Sequence, residues 1–315
     1  MNNLTPQLFL APMEGVTDFV MRDLLTGLGG IDHCVTEFLR VTDTLYPEKV
    51  FFENCPELKT GSRTRAGTPV YLQLLGGKGD ALAENALRAA ELGALGIDLN
   101  FGCPAKTVNR HDGGATLLKS SNRIFDIISA VRKKVPTHVP VTAKIRLGFD
   151  DPRVCVENAI AAEEAGAAWL TVHCRTKTDG YKPPAYWEWI PKIKEKTKIK
   201  IIANGEIWTK QDFKRCFDIT GCQDFMIGRA ALRNPFLFNQ IKQSLSIPLD
   251  PTELLLGFYE ACTTYINQEY ATARTKQWLN QMRVTDEKIQ AIFDQVKVFK
   301  KPAEFKQKLD QLLKE

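Results

Sequence analysis

A chain of 315 residues, 44% hydrophobic and 25% charged, has room for one large barrel or sheet domain plus a small appendage, and its composition excludes a fibre or a disordered chain. The formal net charge of +5 permits an anionic partner such as RNA without requiring one. No run approaches the ~20 apolar residues of a membrane span, and Met1 to Phe9 lacks the basic start and long apolar stretch of a secretory signal, so the expected compartment is the cytoplasm.

Short β-type runs alternate with helical patterns from the N-terminus to about residue 240. The predicted strands are Leu8–Met13, His33–Phe38, Val70–Leu75, Gly96–Asn100, Val141–Leu147, Trp169–His173, Lys200–Ala203 and Asp224–Ile227. Amphipathic helical spacing is clear over Asp80–Leu92, Asn122–Lys134, Asn158–Ala165 and Lys210–Phe217. Such alternation implies parallel strands with crossover helices, and eight units fit an α/β fold of the (β/α)8 TIM-barrel type. A doubly wound sheet would place a glycine-rich fingerprint after its first strand, whereas this chain has Pro12-Met13-Glu14-Gly15 there.

After Asn234-Pro235 the character changes. Helices are predicted over Pro251–Glu269, Thr275–Arg283, Asp286–Val296 and Lys301–Leu313. The expected organisation is a barrel over residues 1–244 and a small all-α helical bundle over residues 245–315, which needs a neighbour to complete its core and so should dock on the barrel.

In a barrel the chemistry lies at the C-terminal strand ends. Those ends carry Pro12-Met13-Glu14, Gln73, Asn100 to Pro104, Lys144 with Arg146, His173-Cys174-Arg175, Asn204-Gly205-Glu206 and Gly228-Arg229. The last two sit where barrels often bind phosphate; turns that simply need glycine are the competing reading. Lys144 and Arg146 share one face of strand five, which calls either for an anionic ligand or for pairing with inward carboxylates such as Asp98 or Glu37.

The eight cysteines are scattered, without zinc-ligand spacing, and read as reduced thiols. Cys103 lies just beyond a strand end, in a loop rich in small residues. An ordinary thiol pKa near ~8.5 leaves it protonated at neutral pH and able to donate a proton. The glycine-rich, charged stretch Lys106 to Lys119 is expected to form a mobile lid. His173 reads equally as a ligand contact or as a core histidine; His33, His111 and His138 show no metal spacing, and no metal is expected.

Taken together the strand ends resemble those of the tRNA-dihydrouridine synthases. The matching stretches are Leu10 to Asp18, Gln73-Leu74, Asp98 to Pro104, Lys144 to Gly148, His173 to Thr176, Asn204 to Ile207 and Ile227 to Ala230, in family order across the barrel. The resemblance implies an FMN-dependent enzyme, reduced transiently by NADPH, that converts uridine in tRNA to 5,6-dihydrouridine. It makes Cys103 the catalytic proton donor at C5. Flavin contacts would come from Pro12, Met13, Glu14, Gln73, Lys144 and His173. The phosphate would rest on Asn204, Gly205, Glu206, Gly228 and Arg229, chiefly through backbone groups. Glu37 to Val41 and Ala273 to Leu279 look like the bacterial C-type branch, which modifies position 16 of the D-loop. That likeness implies tRNA contacts at Arg40, Asn100, Tyr181, Arg274 and Lys276, set against the plainer reading of a solvated basic face. One tRNA per monomer would suffice.

Three other functions remain compatible with the residues. One is an FMN barrel acting on a small pyrimidine, as dihydroorotate-type dehydrogenases do. Another is a flavin-free barrel forming a Schiff base at Lys144. The third is a non-catalytic tRNA-binding protein.

Overall fold

The computed structural model describes residues 6–242 and 250–314, so the expected domain boundary at residues 244 and 245 lies outside the described residues. Eight parallel strands close a ring: β1 (Gln7–Leu10), β2 (His33–Val35), β3 (Val70–Leu75), β4 (Ile97–Asn100), β5 (Val141–Gly148), β6 (Trp169–Thr176), β7 (Lys200–Asn204) and β8 (Asp224–Ile227). Each pairs with the next, and β8 closes on β1 with Leu10 opposite Ile227. A two-residue extended stretch, Leu39–Arg40, lies beside Leu74 and Leu75 on β3. The barrel expectation is met, with the first and second strands each ending three residues early.

Alternation sorts the side chains. On β5, Ala143, Ile145 and Leu147 point outward and are fully buried beneath the helices. The intervening Thr142, Lys144 and Arg146 point into the ring. Low in the barrel, Phe9, His33, Tyr71 and Trp169 fill the interior, with Phe9 stacked on His33 at 4.8 Å and Tyr71 on Trp169 at 5.2 Å. Small apolar residues complete that plug, so the interior is polar only above it.

The surrounding helices are α1 (Phe19–Gly27), α2 (Glu48–Asn54), α3 (Gly79–Glu91), α4 (Lys106–Arg110), α5 (Ser121–Lys134), α6 (Cys155–Glu164), α7 (Trp189–Lys196), α8 (Lys210–Thr220), α9 (Arg229–Arg233) and α10 (Leu237–Lys242). Side-chain caps open two of them. Asp18 accepts from Met21 N to open α1, and Thr209 with Asp212 forms a capping box on α8.

Four further helices follow: α11 (Pro251–Tyr265), α12 (Gln268–Met282), α13 (Glu287–Val296) and α14 (Pro302–Lys314). The single helix expected over Pro251–Glu269 is broken: Asn267 turns extended and accepts from Tyr270 N, capping a new helix seven residues before the predicted start at Thr275. The apolar period runs through both helices because both bury a face, which hides the break in the sequence. Trp278, 1% exposed, donates Nε1 to Leu232 O at 3.0 Å and fixes α12 on α9. Among the described residues no helix is long and apolar enough to cross a membrane.

Candidate active site

A cavity of about 390 Å³ opens at the C-terminal end of the ring. It brings together residues from all eight strand ends, with Glu37 and Phe38 following β2. Pro12, Met13, Glu14, Gln73, Asn100 and Cys103 line it from the first half of the barrel. Lys144, His173, Tyr181, Asn204 to Glu206, Gly228 and Arg229 line it from the second. Of the predicted residues, Arg40, Arg274 and Lys276 do not line it.

Its floor is a buried polar relay. Thr142 Oγ1 donates to Asp98 Oδ1 at 2.5 Å, and Gln73 Nε2 donates to Asp98 Oδ2 at 2.7 Å. Asn100 Nδ2 donates to Gln73 Oε1 at 2.8 Å, while Asn100 Oδ1 accepts from Gly102 N at 2.9 Å. A backbone N–H at one end and a carboxylate at the other fix both amide orientations. Gln73, expected at a flavin's edge, and Asn100, expected to orient a base, therefore each have both amide atoms engaged within the protein. The same bonds hold the Gly102-Cys103 turn over the barrel, and each amide keeps a second N–H and a second lone pair.

Cys103 is partly exposed to the cavity, unlike the other seven cysteines, which are buried. Burial raises its thiol pKa above the ordinary value, with Glu14 adding to the rise and Arg146 and Arg40 opposing it. The thiol is thus more firmly protonated than its residue type alone suggests. The stretch expected to form a lid folds as α4 and a 3-10 turn over Gly114–Lys119. Asn109 Nδ2 donates to Cys103 O at 2.9 Å and to Ala105 O at 2.7 Å, Ala115 N donates to Cys103 O at 3.1 Å, and Arg123 pairs with Asp112 at 2.8 Å. Local glycines suggested mobility, but Gly114 (φ +59°) is there because a Cβ would stand 2.8 Å from Cys103 O.

The two inward cations of β5 separate in role. Arg146 donates to Gly102 O at 2.8 Å, Thr176 O at 3.0 Å and Gly180 O at 2.8 Å, tying the Cys103 turn to the loop that carries Tyr181. Lys144 has one acceptor, Asn204 Oδ1 at 3.1 Å. Burial, reinforced by Arg146, brings its pKa down to about 8. No hydrogen bond joins it to Asp98 or Glu37: Asp98 serves the relay, and Glu37 accepts from Val16 N at 2.8 Å.

Burial and the surrounding Arg146, Lys144, Arg175 and Arg229 hold the His173 imidazole neutral, its pKa well below the usual value. Arg175 Nη1 lies 3.3 Å from His173 Nε2. A guanidinium can only donate, so Nε2 accepts and the proton sits on Nδ1. Arg175 Nη2 stands 2.5 Å from Glu206 Oε1 as an ion pair, at an angle that leaves that buried nitrogen without a hydrogen bond. Glu206 also faces Arg229 at 3.5 Å. Its side chain therefore gathers arginines at this end of the cavity, where a backbone role alone was expected. Tyr181, 53% exposed, lies over the mouth between Arg146 (5.2 Å) and Arg229 (4.9 Å).

Four cations on or behind one cavity, with Lys144 barely satisfied, suit an anionic ligand. A Cβ on Gly228 would lie 3.3 Å from Met13 Sδ, and one on Gly205 (φ +121°) 3.1 Å from His173 Cδ2, so the walls close in where backbone must approach a ligand. These features fit a flavin phosphate and an electron-rich ring.

The predicted RNA contacts divide. Arg40 is partly buried, its carbonyl accepting from Tyr46 Oη at 2.7 Å, and its charge is felt at Cys103. Lys276 donates to Phe299 O and ties α12 to the turn before α14. Arg274 is 6% exposed and bonded to the β1 loop, because the face of α12 carrying it is the docking face. Gln281, on that same face, lines the cavity and was not singled out from sequence, since nothing local distinguishes it from a solvated glutamine.

The sequence profile of the dihydrouridine synthase (Dus) family matches residues 9–315. A tRNA-dihydrouridine(16) synthase from Shewanella oneidensis is 48% identical, covering 97% of this chain and 98% of that one. Another from Pseudomonas syringae is 50% identical over 87% of this chain and 88% of that one. Among solved structures, a variant of NCR from Zymomonas mobilis superposes with a TM-score of 0.55 at 14% identity, covering 79% of this chain and 90% of that one. Morphinone reductase in complex with tetrahydroNAD gives 0.51 at 13% identity with the same coverage. At that identity the structural likeness speaks to the barrel alone.

Proposed function

The chain belongs to the dihydrouridine synthase family, enzymes that use a flavin to reduce uridine in tRNA, and on that footing we propose that it reduces the D-loop uridine at position 16 to 5,6-dihydrouridine, with FMN as the flavin and NADPH as its reductant. The observation that carries the reading is a buried lysine with one acceptor sharing a cavity with a protonated thiol.

When bound, the flavin supplies the hydride that goes to C6 of the uracil. Lys144 would face its anionic edge, Met13 and Glu14 one side of the ring, and Gly205, Gly228 and Arg229 its phosphate. Cys103 delivers a proton to C5 on the opposite side of the double bond, and its raised pKa keeps that proton in place at neutral pH. The neutral His173, a donor at Nδ1, offers a hydrogen bond to a base carbonyl without competing as an acid. Tyr181 presents an aromatic face at the mouth, where a flipped base must enter. The helical domain would hold the tRNA body, and Gln281 on the cavity wall brings that domain to the reacting base, which a small pyrimidine would not need. No dinucleotide fingerprint is present, so the reductant would meet the open flavin face briefly.

The deciding experiment incubates the protein with unmodified tRNA, FMN and NADPH and maps dihydrouridine by position. Dihydrouridine at position 16 supports the whole reading. Its formation elsewhere removes the position, and turnover of free pyrimidines without any action on tRNA removes the substrate class.

A further inference from the structure

Arg274 belongs to α12 in the helical domain, yet its guanidinium reaches into the barrel. Nε donates to Asp18 Oδ2 at 2.9 Å, Nη1 to Gly15 O at 3.1 Å, and Nη2 to Val16 O. Tyr270, one turn earlier, donates its hydroxyl to the same Asp18 oxygen at 2.7 Å. Gln277 accepts from Arg274 as well, holding the fork in place.

The segment that receives these bonds, Gly15 to Asp18, is the second half of the loop after β1. Its first half, Pro12 to Glu14, forms a wall of the cavity. The halves are stitched together: Val16 N and Thr17 N both donate to Met13 O at 3.0 Å, and Met13 N donates to Thr17 Oγ1 at 2.8 Å. A shift of Gly15 or Val16 is therefore a shift of Met13, whose sulfur packs against Gly228 across the site. Nor is α12 free to follow the loop, since Trp278 pins it to α9.

A plain docking contact would need only the ion pair with Asp18. Here two of the three barrel acceptors are backbone carbonyls, so the guanidinium sets the path of the loop itself. Its planar fork presents donors on three separate nitrogens, a fixed geometry that the single nitrogen of an ammonium does not reproduce.

We propose that Arg274 is a positioning residue for the flavin pocket, through which the seating of the helical domain fixes the wall formed by Met13 and Glu14. The proposal rests on the cavity being the flavin site. Flavin binding and domain seating are then reciprocally linked, each tightening the other.

The test titrates FMN into the deflavinated full-length chain at a temperature where each variant retains its folded circular dichroism. Arg274→Ala should weaken FMN binding by about tenfold or more, and Arg274→Lys should not restore it. Asp18→Asn, which keeps the helix cap, should weaken it less, and the double variant should bind no worse than Arg274→Ala because both act through one loop. Unchanged FMN affinity with weakened tRNA binding would overturn the proposal and return Arg274 to RNA contact. Should Arg274→Ala fail to fold, Tyr270→Phe and Asp18→Asn decide: wild-type FMN affinity in both would sink it. A wild-type chain that takes up no flavin removes the proposed function instead, and this inference with it.

Discussion

Lys144 Nζ donates to Asn204 Oδ1 at 3.1 Å, and among the described residues that is the single hydrogen bond its three donors make. The lysine is held at the top of the barrel with its charge poorly compensated. Its pKa falls from 10.5 to about 8. Between those values the folded chain has lost a proton that the unfolded chain retains, so in the absence of ligand stability rises with pH across that window. An anionic ligand reverses the preference and favours the ammonium. Flavin affinity should therefore be greatest below pH 8 and decline as pH passes through it, while Lys144→Met should bind more weakly and lose that decline. Identical pH profiles for the two proteins would remove Lys144 from the cofactor site.

Cys103 has a raised pKa from burial, and an acid catalyst must be protonated to act. The rate of uridine reduction by pre-reduced enzyme should thus stay flat through neutral pH and fall only above the ordinary thiol range. Cys103→Ala should keep its yellow flavin and lose about two to four orders of magnitude in uridine reduction, the usual worth of general acid catalysis. Rapid single-turnover reduction by that variant would discharge Cys103 from its role.

Gly114 gives an independent handle on the same thiol. Added at this position, a Cβ would lie 2.8 Å from Cys103 O and 3.1 Å from Cys103 Cβ, in a left-handed backbone region that disfavours side chains. Gly114→Ala should push the Cys103 turn aside. Spectroscopic titration should find flavin affinity intact, while uridine reduction drops by at least about tenfold, as a displacement of this size commonly produces. If both are intact, the folded segment does not position the thiol.

The barrel was legible because strand alternation and helix period are local signals, and both survive in single elements such as Val70–Leu75 and Asp224–Ile227, whose bounds the structure repeats. The strand-end rule likewise found the residues that now line one cavity. What sequence could not convey is which polar atoms are already spent. Nothing local shows that the amides of Gln73 and Asn100 are bonded to Asp98, to each other and to Gly102 N as well as lining the cavity. Arg274 reads as a surface cation until α12 is placed, because burial on a docking face depends on a partner far away in the chain. The break at Asn267 is the same failure on a smaller scale: a capping asparagine and a solvated one look alike in sequence.

The relay beneath the thiol has a direction, and reversing it exposes a hidden proton. In the wild-type chain donors run from Gly102 N to Asn100, from Asn100 to Gln73 and from Gln73 to Asp98. Asn100→Asp keeps an acceptor for Gly102 N but turns its second oxygen toward Gln73 Oε1, so the Gln73 amide must flip. The flipped amide then sets Oε1 against Asp98 Oδ2, an unfavourable pair unless Asp98 carries a proton. Burial already raises the pKa of Asp98, which makes it the group able to take one. A raised carboxyl pKa contributes stability that is present at low pH and lost as pH rises through the folded value. The variant should therefore lie closest to wild type near pH 5 and lose about 1–3 kcal/mol relative to it by pH 8, the range for an unsatisfied buried polar group. Urea unfolding midpoints of both proteins at the two pH values measure the difference directly, and a gap that does not widen with pH would mean that the relay can reverse without the Asp98 proton.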